Sequence, residues 1–226
     1  MDERVKQHRW HIEPREYARQ ETRRGRRHAY ASLVPARTAL VVIDMVPFFL
    51  LDNPYCRGIV PNINLLAGAL RAAGGTVAWI LPGTAGSSPH AEEFYGTAVA
   101  AMFGAAGGSG PLADRLAPGL AVDPDDLLAE KSASSAFFPG RCPLPGLLTG
   151  RGIDTVLITG TVTNVCCESS ARDASTLGFR VIMVANANAN AARRDRDHNA
   201  TLHTIYRTFG DVRPTAEALT MINSAP

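Results

Sequence analysis

The sequence has no apolar run approaching the ~18 residues that a membrane-spanning helix requires, so no membrane partner is expected. Its first thirty residues, MDERVKQHRWHIEPREYARQETRRGRRHAY, lack the apolar core of a signal peptide, and the chain is read as cytoplasmic. Cysteine is scarce. The four residues Cys56, Cys142, Cys166 and Cys167 form no C-x-x-C pair and no Cys/His ligand spacing, so no metal is expected. Adjacent Cys166 and Cys167 bridge only with strain, because a disulfide wants its α-carbons further apart than ~3.8 Å. Free thiols are therefore expected, and nothing in the pattern calls for a cofactor. Charge of one sign is also scarce, at a net +2. Nine of the 23 Lys/Arg fall in residues 1–30, against five of the 21 Asp/Glu, so the remainder is slightly acidic. The cluster Arg23, Arg24, Arg26 and Arg27 is interleaved with Glu13, Glu16 and Glu21 and has no aromatic stacking platform. It reads as a helical arm, residues 1–36, either solvated or clasping a neighbouring subunit, rather than as a nucleic-acid footprint. There is no internal repeat, and no linker divides residues 37–226, which are read as one domain with a sizeable core.

Short apolar runs punctuate the rest of the chain, the first of them rich in β-branched residues. TALVVIDM (38–45), TVAWIL (76–81), DLLAEK (126–131), DTVLITG (154–160) and FRVIMVA (179–185) read as buried parallel strands, with DVR (211–213) as a short sixth. Helical stretches alternate with them at 62–75, 145–152, 164–177, 194–210 and 215–222, with Asn62 and Thr215 as caps. Residues 83–110, rich in glycine and small residues, read as a long loop with one short helix, a length typical of lids and binding loops. Alternating strands and helices imply an α/β fold with a parallel sheet and right-handed crossovers.

Ligands of such sheets bind beyond the C-terminal strand ends. The residues expected there are Asp44, Pro82–Gly83, Lys131 and the turn GTVTNVC. An acid, an amine and a thiol therefore converge from three strands. If a helix starts near Asn164, Cys167 shares a face with Ala171, Ala174 and Gly178, a small-residue stripe suited to packing on the sheet. Cys166 lies about 100° round that helix, in its first turn, where amides are unpaired. That address, with Lys131 nearby, predicts a thiol of lowered pKa.

The segments ALVVIDM, EKSASSAFFPG and RGIDTVLITGTVTNVCCESSARDASTLGFRVIMV, in this order over residues 37–222, resemble the isochorismatase-like cysteine hydrolase superfamily. The resemblance implies a three-layer α/β/α, Rossmann-like fold with a six-stranded parallel sheet, assembled as a homodimer or homotetramer. It implies a catalytic set of Asp44, Lys131 and Cys166, a cis peptide at Thr161–Val162, and an oxyanion hole of the Val162 and Cys166 backbone amides. The implied activity is metal-independent cleavage of a small molecule's C–N bond (amide, carbamoyl or lactam) through a thioester. A vinyl-ether hydrolase, a streptothricin-type lactam hydrolase and a non-enzymatic scaffold are the alternatives. The metal-ligand pattern of nicotinamidases is missing, since LPGTAGSSPH holds only His90. Val46 and Pro47 depart from the family's usual residues after the aspartate. Pocket walls are expected from Phe48, Phe49, His90, Glu92, Glu93, Phe94, Tyr95, Phe137, Asn188 and Arg193.

Overall fold

A computed structural model of the chain describes residues 5–84, 87–189 and 193–224. Six strands form one all-parallel sheet: β1 (Thr38–Ile43), β2 (Thr76–Pro82), β3 (Leu127–Lys131), β4 (Thr155–Thr161), β5 (Arg180–Ala189) and β6 (Asp211–Arg213). Their spatial order is β3-β2-β1-β4-β5-β6. The order reverses direction between β1 and β4, which makes that gap the topological switch point of the sheet. Helices cover both faces, as the unbroken burial of β1 and β4 requires. Among the described residues no helix is long and apolar enough to cross a membrane.

Alternate residues of β1 feed two separate cores. Ala39, Val41 and Ile43 face a layer containing Leu144 and Leu148 of α7 (Leu144–Thr149), Ala171 and Ala174 of α8 (Glu168–Thr176), and Leu202 of α9 (Asp195–Thr204). Leu40 and Val42 face Ile63, Leu66 and Leu70 of α4 (Val60–Ala72) and Met221 and Ile222 of α10 (Thr215–Asn223). Each fully buried leucine or isoleucine here contributes roughly 2–3 kcal/mol of transfer free energy.

Several boundaries differ from the sequence reading, each for a local reason. The helix expected to start at Asn62 begins at Val60, with Pro61 in its first turn, where a missing N–H costs nothing. Asn62 caps nothing there; its amide donates to the Asn186 carbonyl at 2.6 Å. The stretch 83–110 carries two short helices instead of one, α5 (Pro89–Tyr95) and α6 (Thr97–Gly104), with Ser88 capping α5. The strand expected to stop at Ala185 runs on to Ala189, after a register break against β4 between Ile158 and Gly160.

The helix of the N-terminal arm, α1 (Pro14–Arg24), packs on the body of the chain. Ile12 is buried in the core, and Trp10 and Tyr17 pack against it. Glu16 is buried against His203 and Arg207, and His28 pairs with Asp211 at 2.9 Å. The basic cluster is engaged locally: Arg27 lies 4.3 Å over the Tyr17 ring and Arg24 lies 5.8 Å over Tyr206. Arg24 also donates to the carbonyls of Arg26 and Arg27.

One glycine is demanded by the switch point. Gly160 has φ +106, and a Cβ on it would lie 2.2 Å from the Ile43 carbonyl oxygen on β1. Strand β1 cannot retreat, because it is paired on both sides. Gly160→Ala is therefore expected to destabilise the fold by about 3 kcal/mol or more. The measurement is the urea midpoint at constant slope; a shift equivalent to less than about 0.5 kcal/mol would remove this account of Gly160.

Candidate active site

Asp44 follows the last residue of β1 in the left-handed region, at φ 53, which aspartate tolerates better than most residues. Its backbone is tied at both ends: its N–H donates to the Ile80 carbonyl at 2.8 Å, and its carbonyl accepts from Val46 at 2.9 Å. Lys131 ends β3, two strands away. Its long side chain spans that gap, placing Nζ 2.9 Å from Asp44 Oδ2. The same ammonium donates to the Ala133 carbonyl at 3.1 Å and lies 3.6 Å from Cys166 Sγ.

Cys166 arrives from the far side of the switch point. After β4 the Thr161–Val162 peptide is cis, and Thr163–Cys167 form one π-helical turn before α8 begins at Glu168. The thiol thus sits on a π turn, a geometry frequent at functional sites, and not in the first turn of an α-helix. The Val162 carbonyl accepts from Val165 at 3.0 Å and from Cys167 at 3.2 Å. Behind the turn, Cys56 Sγ lies 3.3 Å from Thr161 Oγ1. Cys167 is fully buried in the core layer with Ala171 and Ala174, and its Sγ points to the Thr159 carbonyl at 3.8 Å. Cys166 retains 9% exposure, so of the adjacent pair it alone reaches the crevice.

The lowered thiol pKa expected from the sequence does not occur. Burial pushes the Cys166 thiol up to about 12, and the Asp44 carboxylate beside it adds to the rise; Lys131 and the Val162 amide offset only part. Asp44 is likewise raised, by complete burial, against the pull of Lys131 and Cys166. Burial opposes the charge on Lys131, but Asp44 and Cys166 outweigh it and its pKa rises. The trio therefore holds an ammonium and a protonated thiol beside a carboxyl group whose affinity for a proton burial has raised.

The turn is supported from beneath by His198 of α9, fully buried, whose Nδ1 lies 3.1 Å from Thr163 Oγ1. Burial and the neighbouring His8 push its pKa from 6.5 down to about 3. The folded state therefore binds fewer protons than the unfolded state between these values. Stability supplied by neutral His198 is complete above pH 6.5 and is lost as pH falls toward 3, by roughly 5 kcal/mol in all. His198→Phe should flatten the stability profile from pH 6.5 to 4 in urea titrations; an unchanged acid limb would refute this.

The expected pocket walls divide. Phe48 and Phe49 of α2 (Pro47–Leu50) are half-buried and meet edge to face at 4.9 Å. Phe48 also meets Phe103 of α6 at 6.0 Å, Phe103 meets Tyr95 at 5.3 Å, and Tyr95 meets Phe94 at 4.7 Å. The result is an aromatic ridge along α2, α5 and α6. Phe103 is the member that sequence reasoning missed, although the apolar run AVAAMFG pointed to it. His90 and Glu93 lie on the exposed face of α5, while Glu92 accepts from Ser87 Oγ. Three expected wall residues have other work. Phe137 is fully buried and packs on Phe179 at 5.5 Å, because the chain after Lys131 turns it into the core. Asn188 is buried and donates to the carbonyls of Ile158 and Val184 at 3.0 and 2.7 Å, bridging the register break that leaves those groups off the ladder. Arg193 is exposed and donates to the Asp52 carbonyl.

The model of the Isochorismatase domain matches residues 38–217. A Bacillus subtilis (strain 168) protein described as uncharacterized isochorismatase family protein YwoC is 31% identical over 193 residues, covering 82% of this chain and 94% of its own length. The ureidoacrylate amidohydrolase RutB of Enterobacter sp. (strain 638) is 26% identical over 212 residues, covering 82% of this chain and 89% of its own. A crystal structure of a cysteine hydrolase from Pseudomonas syringae pv. phaseolicola 1448A superimposes with a TM-score of 0.74 at 29% identity, over 88% of this chain and 98% of that one.

Proposed function

The chain belongs to the isochorismatase family, and from that premise we propose that it is a metal-independent cysteine hydrolase cleaving the C–N bond of a small carbamoyl- or ureido-type amide. One observation carries the reading: at the switch point of the sheet the buried Lys131 ammonium lies 2.9 Å from the buried Asp44 carboxyl and 3.6 Å from the buried Cys166 thiol. The ureidoacrylate amidohydrolase activity named for two relatives, at 26% and 27% identity, supports the choice of bond.

In this reading Asp44 accepts the Cys166 proton as Sγ attacks the substrate carbonyl carbon. The raised pKa of Asp44 suits it to hold that proton. The carbonyl oxygen gains the negative charge and is held by the Val162 and Cys166 backbone amides, while the Lys131 ammonium steadies the negative charge that builds on Sγ as its proton leaves. The C–N bond then breaks, Asp44 returns the proton to the departing amine, and a thioester remains on Cys166. Asp44 next takes a proton from water, whose oxygen attacks the thioester. The acid product leaves, and Sγ is reprotonated. Because the resting thiol is protonated, attack and proton transfer to Asp44 occur together.

The test is a screen of ureido acids, N-carbamoyl amino acids and simple lactams for ammonia release or for the appearance of a new amine. A Cys166 variant is the blank, and mass spectrometry looks for an acyl adduct on the Cys166 peptide. Ring opening of lactams only, or cleavage of no member, would overturn the substrate class.

A further inference from the structure

The segment preceding the matched family region reaches the catalytic turn. His8 is buried and lies flat between two rings: Tyr55 at 4.3 Å and 14°, and His198 at 4.5 Å and 16°. Its Nδ1 meets Asp195 Oδ1 at 2.9 Å, and Asp195 opens α9, the helix that carries His198. His198 Nδ1 in turn meets Thr163 Oγ1, and Thr163 opens the π turn that holds Cys166. The arm around His8 is pinned on both sides. Lys6 donates to the Pro54 carbonyl at 3.1 Å, and Asn199 donates to the Arg9 carbonyl at 2.9 Å. A Cβ on Gly58 would lie 1.8 Å from the Lys6 carbonyl oxygen, so this surface is shaped to receive the arm.

We propose that His8 and His198 are positioning residues for the active site, acting on Cys166 through the Thr163 hydroxyl, so that the N-terminal arm completes the catalytic turn. This rests on the reading of Cys166 as the nucleophile. The physical argument has three links. Stacked flat on His198, His8 denies water access to that ring, so the ring's hydrogen bond to Thr163 meets no competitor. Thr163 so held keeps the turn in one arrangement. The turn sets Cys166 Sγ 3.6 Å from the Lys131 ammonium, the contact that favours the thiolate. Tyr55 holds the opposite face of His8, and Asp195 fixes its rotation.

The test uses iodoacetamide as the probe on the full chain, with alkylation of each cysteine peptide followed by mass spectrometry across pH. Thr163→Val, His198→Phe and His8→Ala are each expected to slow alkylation of Cys166 by about tenfold and to move its pH profile upward, since small losses of alignment have effects of this order or larger. Rates at Cys56 and Cys142 should not change. His8→Phe, which keeps a stacked ring, should stay within about threefold of wild type, a rescue that mere loss of stability would not produce. Unchanged Cys166 rates in Thr163→Val and His198→Phe overturn the proposal. So does faster alkylation of all three cysteines together, which marks general loosening. Should His8→Ala fail to fold, the near-isosteric Thr163→Val still decides. Failure of the nucleophile reading would appear separately, as ammonia release undiminished in Cys166→Ser.

Discussion

Cys166→Ala and Cys166→Ser are expected to reduce turnover by about 10⁴-fold or more, the scale seen when a covalent nucleophile is removed. Cys167→Ala should retain most of it. Alanine leaves no atom to form the thioester. Serine keeps the shape, but its oxygen is a far weaker nucleophile, and Lys131 and Asp44 are spaced for sulfur. Cys167 shares neither contact: its Sγ is enclosed by the core and turned to the Thr159 carbonyl. Its loss removes a small buried side chain and costs about 1 kcal/mol of stability, not chemistry. The measurement is the single-turnover rate of each variant on the best substrate from the screen, with thermal midpoints alongside. Retained activity in Cys166→Ala, or its disappearance in Cys167→Ala at unchanged stability, would sink the assignment.

Lys131→Met is expected to be the most destabilising change in the site, at about 3–5 kcal/mol near neutral pH, because it leaves a buried carboxylate without its cation. Asp44 is 1% exposed, and Lys131 at 2.9 Å is the ammonium that offsets its burial. The loss should depend on pH with a definite sign. Without Lys131 the folded-state pKa of Asp44, already raised above its ordinary 3.8, rises further. A raised carboxyl contributes its stability below the unfolded value and loses it as pH rises through the folded value. Lys131→Met should therefore be least destabilised near pH 4 and most destabilised near pH 8. Adding Asp44→Asn should restore much of the stability without restoring activity, since both charges then disappear together. A double-mutant cycle in urea checks this. A pairwise coupling below about 0.5 kcal/mol, or a Lys131→Met deficit independent of pH, would show that the two charges do not depend on each other.

Most strands were legible because they are short apolar runs, dense in β-branched residues in β1 and β4 and alternating with helical stretches. The positions of Asp44, Lys131 and Cys166 followed from the rule that sites lie beyond strand ends. Other features depended on partners far away in sequence. Phe137 and Asn188 have the composition of wall residues but were turned inward, one by the path of the chain after β3 and the other by a break in the β4–β5 register. Nothing in RDRDHNATLHTIY marks His198 as the support of a turn 35 residues earlier.

The two adjacent cysteines show the division most closely. By itself the sequence determined that they are unlike, because helical periodicity places Cys167 on a stripe with Ala171 and Ala174 and turns Cys166 away from it. Only the tertiary structure decided what Cys166 is. Its charge state depends on desolvation and on a carboxylate and an ammonium delivered by β1 and β3, 122 and 35 residues away along the chain. A one-dimensional pattern can place a thiol near a helix start, where its pKa should fall. Burial beside Asp44 raises it instead, because electrostatic free energy depends on distance and dielectric in space and not on separation in sequence.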